Sequence, residues 1–134
     1  MLPMHLLTPV SPGELLDKLT ILDIKIERIT DAAKLANVRR ERELLEQVWQ
    51  ASGLESAAVR ELRAALKAVN ERLWVIEDDI RDEERAGRFG PRFIELARAV
   101  YVTNDERAAI KKAINQALGS EIVEEKSYSD YRRI

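Results

Sequence analysis

The chain has 134 residues, of which 46% are hydrophobic, 34% charged and only 5% aromatic. Its 22 basic and 24 acidic side chains leave a formal net charge of -2, so no global positive field draws it to nucleic acid or an anionic membrane. Without cysteine, and with His5 as its one histidine, it can build neither a disulfide, a thiolate metal site nor a histidine cluster.

Aliphatic richness with just 5 Gly and 4 Pro points to an all-α protein, a single helical domain over residues 1–134. The opening MLPMHLLTPV has no basic start, and Pro3, Pro9 and Pro12 interrupt its short apolar run. It does not read as a signal peptide or membrane span, and a cytoplasmic location is expected.

Ser11, Pro12 and Glu14 supply a cap, a proline in the first turn and a capping-box glutamate, so a first helix should start there. Leu15, Leu19, Leu22, Ile26 and Ile29 follow helical spacing, flanked by Leu16, Ile21 and Ile24, and carry the helix to about Thr30. Thr30 and Asp31 can cap a second helix with Leu35, Val38, Leu45 and Trp49 on one side, ending near Ser52-Gly53. The Arg39-Arg40-Glu41-Arg42-Glu43 run suits ion pairing on a solvated face better than nucleic-acid binding.

The clearest pattern is Val59, Leu62, Leu66, Val69, Leu73, Ile76 and Ile80, a heptad seam that predicts one long helix over 57–86, capped by Ser56 and stopped at Gly87. Pro91 can open a fourth helix with Phe93, Ile94, Ala97, Val100 and Tyr101. Thr103-Asn104-Asp105-Glu106 has capping-box spacing, so residues 91–102 and 104–118 form either two helices or one with a bend. The expected architecture is an antiparallel hairpin or bundle of four or five helices built on the long one. A short β pairing between His5–Val10 and the stretch 121–128 could join the termini.

Thirty helical residues span roughly 45 Å, whereas a compact chain of this length has a radius of gyration of about 14 Å. A homodimer in coiled-coil-like contact would cover the projecting apolar seam.

Two surfaces can carry chemistry. Glu77-Asp78-Asp79-Ile80-Arg81-Asp82-Glu83-Glu84-Arg85 concentrates acids near a helix C-terminus, whose dipole prefers cations. Arg88, Arg92, Arg98, Arg107, Lys111 and Lys112 come next in the chain and can neutralise it in an ion-pair network. Alternatively, the i,i+4 pairs Asp78 with Asp82 and Asp79 with Glu83, together with Glu77, can hold Mg2+ against a phosphorylated ligand. Glu43-Leu44-Leu45-Glu46 and Asp79-Ile80-Arg81-Asp82 resemble the acidic motifs of all-α nucleotide pyrophosphatases, with Asp79 where that family has Glu. That resemblance implies a Mg-dependent enzyme acting on a phosphorylated or nucleotide ligand.

The second surface lies beside the seam. Asn70, Trp74, Glu77, Asp78 and Arg81 share one flank, and Glu95, Arg98, Tyr101, Asn104, Arg107 and Lys111 can face it from the next segment. A ligand pocket there, formed by Trp74, Asp78, Arg81, Arg98, Tyr101 and Arg107, competes with a buried polar network that fixes helix register. The favoured function is a non-enzymatic helical binding or assembly module, homodimeric and without a cofactor, that recognises a small phosphorylated ligand or a protein at this surface.

Three segments, Ser11-Pro12-Gly13-Glu14-Leu15-Leu16-Asp17-Lys18-Leu19-Thr20-Ile21-Leu22, Leu73-Trp74 through Ile76-Glu77-Asp78-Asp79-Ile80-Arg81, and Phe93-Ile94-Glu95-Leu96-Ala97-Arg98 through Tyr101 to Asn104-Asp105, carry a resemblance over nearly the whole chain. Val123-Glu124-Glu125-Lys126-Ser127-Tyr128 extends it. The sequence resembles an uncharacterised bacterial and viral family, one of the domains of unknown function. That resemblance implies no activity, cofactor or catalytic residue.

Overall fold

The first three helices begin where a side chain caps the first turn. In the computed structural model, which describes residues 4–132, Ser11 accepts a hydrogen bond from the Glu14 amide at 3.1 Å and starts α1 (Pro12–Arg28). Asp31 caps α2 (Ala32–Ser52), Ser56 caps α3 (Ala57–Ala86), and Pro91 follows Gly90 into α4 (Pro91–Ala117). Residues 1–3 and 133–134, the ends of the expected domain and the start of the apolar N-terminal run, lie outside the described residues.

Gly87 ends α3 at φ 69°, a left-handed conformation that costs a residue without Cβ nothing extra. The first helix stops two residues short of Thr30, because Ile29 has already turned extended to bring Asp31 to the head of α2.

Among the described residues four helices form, and α4 runs unbroken through Thr103 and Asn104. The local capping signal loses to packing. Thr103 is buried, and α4 lies along α3 on both sides of it, with Arg92 to Asp79 at 3.4 Å and Arg72 to Glu106 at 2.5 Å. These pairs also show that α3 and α4 run in opposite directions.

Among the described residues there is no strand, so the expected pairing of the termini does not form. The two segments lie on different helices. Met4–Val10 borders α1 and α2, whereas the C-terminal tail packs beside α4, where Glu124 meets Lys111 at 3.0 Å and the Tyr131 ring sits 4.9 Å from that of Tyr101.

Leu15, Leu16, Leu19, Trp49, Val59, Leu66 and Ile114 form the core, with one or more residues from every helix. Leu22, Ile24, Val69, Leu73 and Leu96 are buried beyond it. Of the heptad seam, Val59, Leu66, Val69 and Leu73 are buried within the same chain. On α2 only Trp49 is fully buried. No described helix is long and apolar enough to cross a membrane.

Candidate functional site

The face of α1 that carries Gly13, Asp17, Thr20 and Ile24 is buried although half of it is polar. These positions recur at helical spacing and point α1 toward α3 and α4. Asp17, 1% exposed, is the centre of a hydrogen-bonded cluster. Arg107 of α4 grips its carboxylate with two N–H groups, Nε at 2.8 Å from Oδ1 and Nη2 on Oδ2.

From α3, the Asn70 amide donates to Asp17 Oδ1 at 3.0 Å and to Thr20 Oγ1 at 2.9 Å. Lys111, one turn beyond Arg107, donates to Glu14 at 2.7 Å and lies 3.9 Å from Asp17. Beyond it, Asn115 accepts the Gly13 amide at 2.8 Å. Among the described residues, no buried side-chain polar atom lacks a hydrogen-bond partner.

The hydrogen bonds to Asp17 outweigh burial and raise the Arg107 pKa further. Burial acts to lower Lys111, but Glu14 and Glu124 more than reverse this and leave it raised. Arg107 and Lys111 therefore keep their charges, and the cluster locks three helices in one register.

Above this cluster a cleft of about 450 Å³ opens between α1, α3 and α4. Ile21, Ile24 and Leu73 supply its apolar lining; Asn70, Trp74, Glu77, Asp78, Arg81, Asn104 and Arg107 supply the rest. Four of the six residues expected at a recognition surface, Trp74, Asp78, Arg81 and Arg107, thus line one cleft. Arg98 and Tyr101 do not. Tyr101 is exposed and packs instead on Tyr131 of the tail.

The acidic run faces arginines. Glu77 pairs with Arg81 at 3.5 Å, Asp79 with Arg92 at 3.4 Å, Asp82 with Arg85 at 3.1 Å and Glu83 with Arg88 at 2.8 Å. The hydrogen bond from Arg88 holds the Glu83 carboxyl below its ordinary pKa. Asp78 is in no such pair among the described residues. Nor do the described residues contain a group of three or more His, Cys, Asp or Glu arranged to hold a metal ion.

A family model, described as a family of unknown function (DUF6165), matches residues 6–132. The chain belongs to this family. Neither a curated protein nor a solved structure matches it. The DUF6165 match takes in the whole Asp17 cluster, the cleft and the C-terminal tail as far as Arg132.

Spacing alone does not identify Asp17, Glu14 and Asn115 as parts of a shared cluster. The available signal is the stripe Gly13, Asp17, Thr20 and Ile24, in which a small residue and two polar ones recur where a surface helix would change face.

The tail of this family member is tied down by a titratable pair. The Lys111 hydrogen bond lowers the Glu124 pKa, so Glu124 contributes fully above its unfolded value of about 4.3 and is lost as pH falls through the lower folded value. Lys111, raised, contributes fully below its unfolded value of about 10.4 and is lost as pH rises through the higher folded one. The tail should therefore stay docked between about pH 5 and 10 and detach on acidification. Glu124→Gln should detach it already at neutral pH, with a global stability change within about 1 kcal/mol. Backbone NMR relaxation of residues 121–128 as a function of pH reads both effects. A tail equally rigid in Glu124→Gln would show that other contacts hold it.

Proposed function

We propose that this protein is a helical binding module, not an enzyme, and that its cleft takes a small ligand bearing a protonated amine. The observation that carries this reading is the imbalance of charge at the cleft. Arg107 is engaged by Asp17 and Arg81 by Glu77, which leaves the carboxylate of Asp78 as the group without an ionic partner among the described residues.

Trp74 lies one helical turn before Asp78, so an ammonium bound to the carboxylate can also reach the indole face. That contact contributes about 0.5–2 kcal/mol depending on desolvation. Asn104 of α4 adds an amide oxygen that accepts from an N–H donor. Ile21, Ile24 and Leu73 suit the hydrocarbon part of the ligand, and the cleft volume falls within the range that encloses small molecules. A phosphate would have to displace Asp17 from the Arg107 fork and compete with Glu77 for Arg81.

Titration calorimetry with spermidine, with inorganic phosphate, and with ATP plus Mg2+ tests the proposal. Spermidine should bind, Asp78→Asn should weaken it about tenfold or more, and Trp74→Ala should weaken it severalfold. No heat with spermidine, or binding indifferent to Asp78→Asn, overturns the reading. Binding of Mg2+ with ATP instead would favour the enzyme built on Glu77, Asp78, Asp79, Asp82 and Glu83.

A further inference from the structure

Met4–Val10 forms neither helix nor strand, and its large side chains face solvent: Met4 is 87% exposed, Leu6 83% and Leu7 89%. It borders a groove of about 760 Å³ between α1 and α2, whose apolar lining includes Leu15, Leu44, Leu45, Val48 and Ala51. The segment forms one rim of the groove without filling it. Val48 remains 53% exposed. Exposed leucines beside an open apolar groove leave two complementary surfaces wet.

We propose that this strap is exchanged between two copies of the chain, each laying Met4–Val10 into the α1–α2 groove of the other. Three features favour a second copy over a foreign partner. The chain itself carries both halves of the contact, plug and groove, side by side, so one two-fold operation satisfies both. The groove is also bordered by Lys18 and Glu41, both exposed and neither in an ion pair among the described residues. In a two-fold exchange the lysine of one copy can face the glutamate of the other, a self-complementary charge pattern that a foreign partner would have to reproduce twice.

The third feature is stiffness. Pro9 and Pro12 fix φ on either side of Ser11, so the strap leaves α1 as a restrained arm and loses less conformational entropy when it docks. The apolar surface that a dimer would cover thus lies on α1, α2 and the strap, whereas α4 already packs along the seam of α3.

Light scattering coupled to size exclusion should give twice the 15.3 kDa chain mass for the native protein. Leu6→Glu with Leu7→Glu should raise the dimer dissociation constant about a hundredfold, with the helical circular dichroism signal unchanged because the strap lies outside the core. Lys18→Glu and Glu41→Lys should each weaken the dimer, and together should restore it.

The chain has no cysteine, so exchange can be read directly. Leu7→Cys and Val48→Cys chains, mixed and oxidised, should form a disulfide between the two different copies. A native protein of single-chain mass overturns the proposal. So does a dimer that survives Leu6→Glu with Leu7→Glu, or a disulfide that forms only within the doubly substituted chain.

Discussion

Asp17→Ala is expected to destabilise the protein by about 3 kcal/mol or more, within the range for removing one partner of a buried ion pair. With an ordinary denaturant dependence this lowers the urea midpoint by about 1.5–2 M. The carboxylate is 1% exposed, accepts both arms of Arg107 and the amide of Asn70, and stands 3.9 Å from Lys111. Its removal leaves the Arg107 fork and one Asn70 N–H without an acceptor in a region water barely reaches. The Arg107 side chain keeps 28% exposure and can recover part of its hydration, which places the expected loss toward the lower end of the range.

A double-mutant cycle separates this account from simple cavity formation. Asp17→Leu and Arg107→Leu should each be strongly destabilising, and the double variant should recover much of the loss, because the uncompensated charge is then gone. Additive losses would show that the pair is not coupled. Asp17→Asn carries a functional consequence as well: it frees the positive charge of Arg107 at the base of the cleft. Spermidine should then bind more weakly and inorganic phosphate more strongly, the reverse of the native preference.

The helices are legible in the sequence because their signals are local. Ser11, Asp31 and Ser56 each cap the helix that starts beside them, and the Val59 to Ile80 seam needs no knowledge of its partner. The continuity of α4 is not legible, since the capping-box spacing at Thr103 is a short-range cue and the packing of α3 that overrides it is not.

The same division holds at the cleft. Trp74, Asp78 and Arg81 share a face of one helix, so spacing alone groups them. Arg107 joins them through long-range contacts that spacing does not show, the packing of α4 along α3 and the ion pairs and hydrogen bonds by which α1 reaches α4 at Arg107, Lys111 and Asn115. Arg98 and Tyr101 have suitable spacing but belong to the half of α4 that precedes this crossing. Asp17 is hidden because its partners are 53 and 90 residues away in sequence, and an acid on an amphipathic helix ordinarily marks the solvated side. The two terminal segments are hardest to place, for neither carries a periodicity that says which helix it lies on.

Gly13→Ala should reverse the usual sign of that substitution. In a helix, alanine is favoured over glycine by roughly 0.5–1 kcal/mol. Here a Cβ at position 13 would stand 2.5 Å from the Lys111 carbonyl oxygen and 2.9 Å from Asn115 Oδ1. The nearer atom is backbone held within α4, so α1 itself must shift. A net loss of about 2–3 kcal/mol is expected, in the range of overpacked interiors, and is read as a fall in Tm.

Relief tests the cause. Gly13→Ala combined with Asn115→Ala removes the side-chain contact but not the carbonyl, and it abolishes the bond that Asn115 accepts from the residue 13 amide, so the double variant should remain destabilised. A rise in Tm for Gly13→Ala would instead mean that α1 and α4 do not approach this closely. The approach also sets the reach of the neighbouring ion pair, Glu14 to Lys111, and of Asp17 to Arg107 one turn on. A shift of α1 loosens the grip on Arg107, and with it the neutralisation that leaves Asp78 as the unmatched charge of the cleft. Spermidine affinity should therefore fall in Gly13→Ala although residue 13 does not line the cleft. An affinity unchanged in a destabilised variant would separate the cluster from the binding surface above it.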